Sequence, residues 1–97
     1  TSPILDINGQ RYMLTGPVTI IGRGSESDII VDDSGVSRRH LEIRLTAGHT
    51  VATDLGSTNG TFVEGVRMDA ATLVNGNTIT IGHTTIMFWD GSDEVAG

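Results

Sequence analysis

Ninety-seven residues carrying twelve acidic and six basic side chains, for a formal charge of −6, are enough for one domain with a modest core. The acidic balance argues against nucleic acid or an anionic membrane as partner, since both are held by a basic face. The absence of cysteine and of lysine excludes disulfides, thiolate metal sites, cysteine nucleophiles, Schiff-base lysines and a Walker phosphate loop. No apolar run approaches the length of a membrane span and no signal-peptide profile is present. Because the chain begins at Thr1, it is expected to be a piece of a longer protein.

In chain order the sequence reads as short strands separated by turns. Ile4-Leu5-Asp6-Ile7 and Arg11-Tyr12-Met13-Leu14 flank Asn8-Gly9, a strong hairpin signal because a type I′ turn needs φ > 0 at both central residues. Thr19-Ile20-Ile21 and Asp28-Ile29-Ile30-Val31 follow. Leu41-Glu42-Ile43-Arg44-Leu45 alternates apolar and charged, the pattern of a half-buried strand. Thr50 to Leu55, Thr61-Phe62-Val63, Thr78-Ile79-Thr80-Ile81 and Thr84 to Trp89 complete the series. The nearest approach to a helix, Asp69 to Leu73, is too short to be stable. The expectation is an all-β domain over residues 1–89, an antiparallel sandwich or barrel of roughly ten strands. Residues 90–97 turn polar and acidic and are expected to form a frayed tail.

The polar connections at 22–28, 32–40 and 56–60 are where binding chemistry would reside. The first carries Gly22-Arg23, with the glycine easing the chain out of its strand and the arginine projecting from the strand end. The second ends in Val36-Ser37-Arg38-Arg39-His40, where the arginines are either a solvated pair or anion ligands and His40 reads as a core histidine. The third, Asp54-Leu55-Gly56-Ser57-Thr58-Asn59-Gly60-Thr61, contains a turn dipeptide, but three successive hydrogen-bonding side chains exceed what a turn requires.

Gly22-Arg23, then Ser37-x-x-His40, then Ser57-x-Asn59-Gly60, in this order on a β-rich chain, resembles the forkhead-associated (FHA) domain family, with wording most similar to bacterial members. The similarity runs from Ile4 to Trp89. It implies an eleven-stranded antiparallel β-sandwich of two twisted sheets with recognition loops clustered at one end. It also implies a non-catalytic module that binds phosphothreonine peptides in Ser/Thr kinase signalling, in the cytoplasm, without cofactor or metal. By that resemblance Arg23, Ser37, Arg38 and Thr58 would contact the phosphate and Asn59 the peptide main chain. Gly22, His40 and Gly60 would hold the loops in shape. Specificity contacts would come from Gly35, Val36, Gly82 and His83, although His83 reads equally well as a solvated turn histidine. The partner would be a phosphorylated kinase, a kinase substrate or another part of the parent chain, met by a monomeric domain. The run Val63-Glu64-Gly65-Val66 departs from the family pattern, which often has Asn-Gly there, and leaves the geometry of that turn open.

Two other functions are weighed against this one. Ser37, His40 and Asp54 are the residue types of a hydrolase triad, but no Gly-x-Ser-x-Gly elbow accompanies them. His40, His49 and His83 are scattered without metal-ligand spacing. The stronger rival is a phosphorylation-independent assembly module that uses a sandwich face, for which Val66, Met68 and Met87 are the apolar candidates.

Overall fold

The computed structural model describes residues 2–92. Eleven strands form two sheets: β1 Ile4–Ile7, β2 Gln10–Met13, β3 Val18–Gly22, β4 Ile29–Ile30, β5 Leu41–Thr46, β6 His49–Asp54, β7 Thr61–Val63, β8 Val66–Met68, β9 Ala70–Thr72, β10 Thr78–Ile81 and β11 Thr84–Trp89. One sheet has the order β2-β1-β11-β10-β7-β8 and the other β4-β3-β5-β6-β9. This is the expected all-β sandwich. Its pairings are antiparallel except for β3 with β4, which run parallel over two residues, Ile21 opposite Ile29 and Gly22 opposite Ile30.

The alternation read in the sequence sets the layers. Leu41 and Ile43 of β5 point inward while Arg44 faces solvent. Ile79, Ile81, Ile86 and Phe88 bury the facing side of β10 and β11, and Leu5 and Ile7 extend the same layer. Val36, from the loop after β4, is also in this core at 1% exposure. That loop is therefore anchored by its own apolar side chain.

Two elements differ from expectation. The segment after Asp69 forms β9, paired to β6 through Val51–Thr72, Ala52–Ala71 and Thr53–Ala70, and Val66–Met68 forms β8 against β7. Both are three-residue edge strands with little apolar contrast, so pairing with a neighbour rather than periodicity makes them strands. Of the apolar candidates for an assembly face, Met68 packs against the core and Met87 is half-buried, leaving only Val66 widely exposed.

The turns follow the rule for right-twisted hairpins. Asn8-Gly9 has φ of 51° and 78°, and Glu64-Gly65 has 50° and 79°. Glu64-Gly65 thus adopts the geometry an Asn-Gly pair would, and the Glu64 carboxylate accepts from the Thr78 amide at 2.7 Å. That bond holds its carboxyl below the usual range, against a smaller upward push from desolvation. Of the expected acidic tail, Asp90 is fastened to the turn between β9 and β10 by its amide, which donates to Asn75 Oδ1 at 2.9 Å. Residues 93–97 lie outside the described residues.

Candidate functional site

Strand register brings the ends of β3 and β6 and the starts of β5, β7 and β11 to one end of the sandwich. The loops that gather there are 23–28, 31–40, 55–60 and the hairpin turn 82–83. Backbone bonds zip the first two together: the Arg23 amide donates to the Ser37 carbonyl (2.9 Å) and the Gly24 amide to the Arg38 carbonyl (3.0 Å). Gly22 permits this approach. A Cβ built there would stand 2.1 Å from the Arg38 carbonyl oxygen and 2.7 Å from its carbon, both backbone atoms with little room to yield.

His40 ties the second loop to the third. Its ring is fully buried; Nδ1 accepts from the Ser37 amide at 3.0 Å, so Nε2 carries the hydrogen given to the Gly60 carbonyl at 2.9 Å. Its own backbone donates to Ile21 and accepts from Leu55. These bonds join the second and third loops, and they remove the triad. The ring is closed to solvent, Asp54 stands 3.8 Å from Nε2, and Ser37 Oγ accepts from the Thr58 amide rather than contacting the imidazole.

Asp54 organises the third loop. Its carboxylate accepts from the amides of Gly56 and Ser57 and from the hydroxyls of Ser57 and Thr61, the last two at 2.6 Å. Burial pushes this carboxyl up; the hydroxyls of Ser57 and Thr61, the Ser57 amide and His40 more than offset that and hold it below its ordinary value. Ser57 Oγ also accepts from the Gly60 amide at 2.9 Å, so its hydrogen bonds are internal to the loop. Neither role was evident in the sequence, although an Asp two residues before a Gly and three before a Ser is the spelling of such a side-chain-capped turn.

With Ser57 turned inward, Thr58 and Asn59 face out. They line, with Arg23, Ser34, Gly35, Val36 and Ser37, a depression of about 130 Å³. At about 30 Å³ of liquid volume per water that is space for roughly four waters, far below the 300–1,000 Å³ of drug-sized ligand sites. A phosphate fits the scale. Arg23 Nε donates to the Val36 carbonyl at 3.0 Å, which fixes the guanidinium plane. Ser37 Oγ accepts from the Thr58 amide, so its hydrogen is left to give. Asn59 Nδ2 donates to the Gly35 carbonyl at 2.9 Å, leaving Oδ1 to accept. A larger hollow of about 510 Å³ lies on the flank between Arg11 and Ile29, but it gathers no comparable set of convergent donors.

Arg38 stands apart from this group. Its guanidinium pairs with Glu26 at 3.2 Å, both side chains well exposed, and it does not line the depression. Among the specificity candidates, Val36 is in the core and offers only its backbone. Gly35, Gly82 and His83 meet through Asp33, for which the sequence carries no local signal. Asp33 accepts from the Gly35 amide at 2.8 Å, the His83 amide at 2.7 Å and the Thr84 hydroxyl at 2.7 Å. The Thr84 hydroxyl is the main influence, with the Gly35 amide next, in lowering this carboxyl from 3.8 to about 2. The His83 side chain remains open to solvent. Among the described residues no group of three His, Asp or Glu side chains is placed to hold a metal ion.

An all-β sandwich with its convergent anion donors gathered on loops at one end defines a recognition module. Residues 19–82 match the FHA domain family, and the chain belongs to that family. It is a non-catalytic module of the bacterial type, as the loop motifs implied. It is 45% identical over 83 residues to the glycogen accumulation regulator GarA of Mycolicibacterium smegmatis, covering 86% of this chain and 52% of that protein. It is 42% identical over 86 residues to the oxoglutarate dehydrogenase inhibitor of Corynebacterium glutamicum, covering 89% of this chain and 60% of the relative. The chain thus spans about half to three fifths of the length of these relatives. Among solved structures, an FHA domain studied for phosphothreonine-dependent interactions superposes with a TM-score of 0.87 at 39% identity, covering 92% of this chain and 96% of that one. EmbR of Mycobacterium tuberculosis, in complex with a low-affinity phosphopeptide, gives 0.88 at 35% identity, covering 92% of this chain and 24% of that one.

Proposed function

We propose that this domain captures a phosphothreonine side chain in the depression between the second and third loops. One observation carries the reading: Arg23, Ser37 and Thr58, from three loops, line a single hollow of about 130 Å³. A phosphothreonine brings about −1.5 to −2 charges and three acceptor oxygens, which suit a guanidinium fork and short hydroxyls. Arg23 supplies the fork, Ser37 a donor hydrogen and Thr58 a second hydroxyl. Asn59 accepts a main-chain N–H of the peptide. Arg38 swings from Glu26 to the phosphate edge, since an exposed ion pair is worth only about 0–1 kcal/mol and is easily exchanged. Gly35 and the Gly82-His83 turn form the rim beside which residues after the phosphothreonine pass.

The overall charge of −6 does not oppose this. One guanidinium about 4 Å from a phosphate charge gains on the order of 4 kcal/mol at an effective dielectric of 20; a carboxylate about 20 Å away in water opposes by roughly 0.2 kcal/mol before screening. With about 1.5–3 kcal/mol for each charge-assisted hydrogen bond, three such bonds and the Asn59 contact reach micromolar affinity. The partner is a phosphorylated kinase, a kinase substrate or a segment of the parent chain, in a Ser/Thr kinase pathway of the cytoplasm. Relatives named a glycogen accumulation regulator and an oxoglutarate dehydrogenase inhibitor support a regulatory parent protein.

Calorimetry with matched peptides bearing Thr, phosphothreonine, phosphoserine or Asp tests the reading. Binding is expected for phosphothreonine alone among Thr, phosphothreonine and Asp, with a loss of about 100-fold or more in Arg23→Ala, two charge-assisted bonds being removed. Equal affinity for the Thr and phosphothreonine peptides overturns it.

A further inference from the structure

The third loop lies beside a cation that the phosphate depression does not use. Arg67, on β8, stands opposite Phe62 in the sheet. A Cβ built on Gly60 would lie 2.8 Å from Arg67 Nε and 2.9 Å from its Cζ. The guanidinium therefore rests over the backbone of Gly60, one residue from Asn59, and its outer side is exposed. Arg11, Arg38 and Arg44 are paired with Asp6, Glu26 and Glu42, and Arg23 donates to Val36. Among the described residues Arg67 has no such partner, although acidic side chains outnumber basic ones two to one. Arg39, on the second loop, shares that freedom, but among the described residues no contact holds its guanidinium in place, whereas that of Arg67 is seated against Gly60.

We propose that Arg67 is a specificity-determining residue that receives an acidic side chain of the bound peptide, at a position flanking the phosphothreonine. This rests on the phosphothreonine reading above and extends it to a second contact. A guanidinium held flat at an edge presents its remaining N–H groups as a fork, the geometry that takes a carboxylate in a bidentate pair. Nothing has to be displaced first, in contrast to Arg38, which must release Glu26. The glycine at 60 matters here too, because a side chain at that position would compete for the space the guanidinium occupies.

The test is a set of phosphothreonine peptides in which Asp replaces Asn at each position from four before to four after the phosphothreonine, titrated against wild type, Arg67→Gln and Arg67→Glu. At one position wild type is expected to favour Asp roughly threefold to fivefold, the upper range for an exposed charge pair. Arg67→Gln abolishes that preference while keeping its affinity for the Asn peptide, and Arg67→Glu transfers it to Lys at the same position. An Asp preference absent from wild type at every position, or persisting in Arg67→Gln, overturns the inference while leaving phosphothreonine binding intact. Failure of wild type to bind any phosphothreonine peptide overturns the underlying reading and the inference together.

Discussion

The two ends of the sandwich are built on different principles. At the end away from the site, hairpins close on two residues: Ala47-Gly48 and Glu64-Gly65 each turn the chain with two successive positive φ values, the second also braced by the Thr78 amide. At the recognition end three of the four connections are longer, and the bonds that fix them join residues far apart in sequence. Ser27 reaches Arg38, Asn59 reaches Gly35, His40 reaches Gly60, and Asp33 reaches Thr84. A turn fixed by local geometry presents few groups to a ligand, since its polar atoms serve the turn. Loops fixed by one another can put an inner layer of buried His40 with the partly buried Asp54 and Ser57 beneath an outer layer of Arg23, Ser37, Thr58 and Asn59. On the proposed reading the inner layer determines shape and the outer layer recognition.

This separation is open to experiment. The largest effect is expected for His40→Ala, which opens a cavity and strands the Ser37 amide and Gly60 carbonyl; a loss on the order of 3–5 kcal/mol should appear in denaturant unfolding. Arg23→Ala, expected to remove binding from the outer layer, should leave the same unfolding curve within about 1 kcal/mol, because only the bond to the Val36 carbonyl is lost. Unfolding of the Arg23 variant comparable to that of the His40 variant would dissolve the distinction between the layers.

A subtler contrast concerns Asp33, the clip between the second loop and the turn at 82–83. Its carboxyl titrates at about 2 when folded and 3.8 ordinarily, so folding favours the charged form. The stabilisation is fully present above pH 4 and is lost as pH falls from about 4 towards 2. Asp33→Asn places an amide N–H₂ where only an acceptor suits, and should lower stability at pH 6. The gap to wild type should narrow through that acid window when melting is followed by circular dichroism. A gap independent of pH would show that the charge of Asp33 does not hold the clip. The smallest effect belongs to the far end: Ala47 sits at φ 37°, which asparagine tolerates better. Ala47→Asn should raise stability by about 0.5–1 kcal/mol and leave peptide affinity unchanged.

The parts of this architecture that could be read from the sequence are those with a local signature. Strict alternation marked β5, Asn8-Gly9 marked the first hairpin, and the order of Gly22-Arg23, Ser37-x-x-His40 and Asn59-Gly60 marked the recognition loops. β8 and β9 escaped notice because edge strands of three exposed or half-exposed residues have almost no period to detect. Arg38 reads as one of two adjacent arginines, and only the fold shows that Glu26 occupies it. Asp33 depends on contacts with residues about fifty positions later, and Arg67 on its fold back over Gly60 across the β7–β8 hairpin, neither of which carries a local pattern. Ser57 and Thr58 are adjacent and chemically similar, yet the Asp54 carboxylate turns one hydroxyl inward while the next faces solvent.

The bond from the Thr58 amide to Ser37 Oγ has a kinetic consequence. It joins two of the loops that line the hollow before any ligand arrives, so docking needs no slow closing step. Association should then proceed at the orientation-limited pace of rigid surfaces, about 10⁵–10⁷ M⁻¹s⁻¹, hastened by the local field. At micromolar affinity the complex lasts about 0.1–10 s, so a partner's phosphate returns to solution often and stays within reach of the enzymes that remove it.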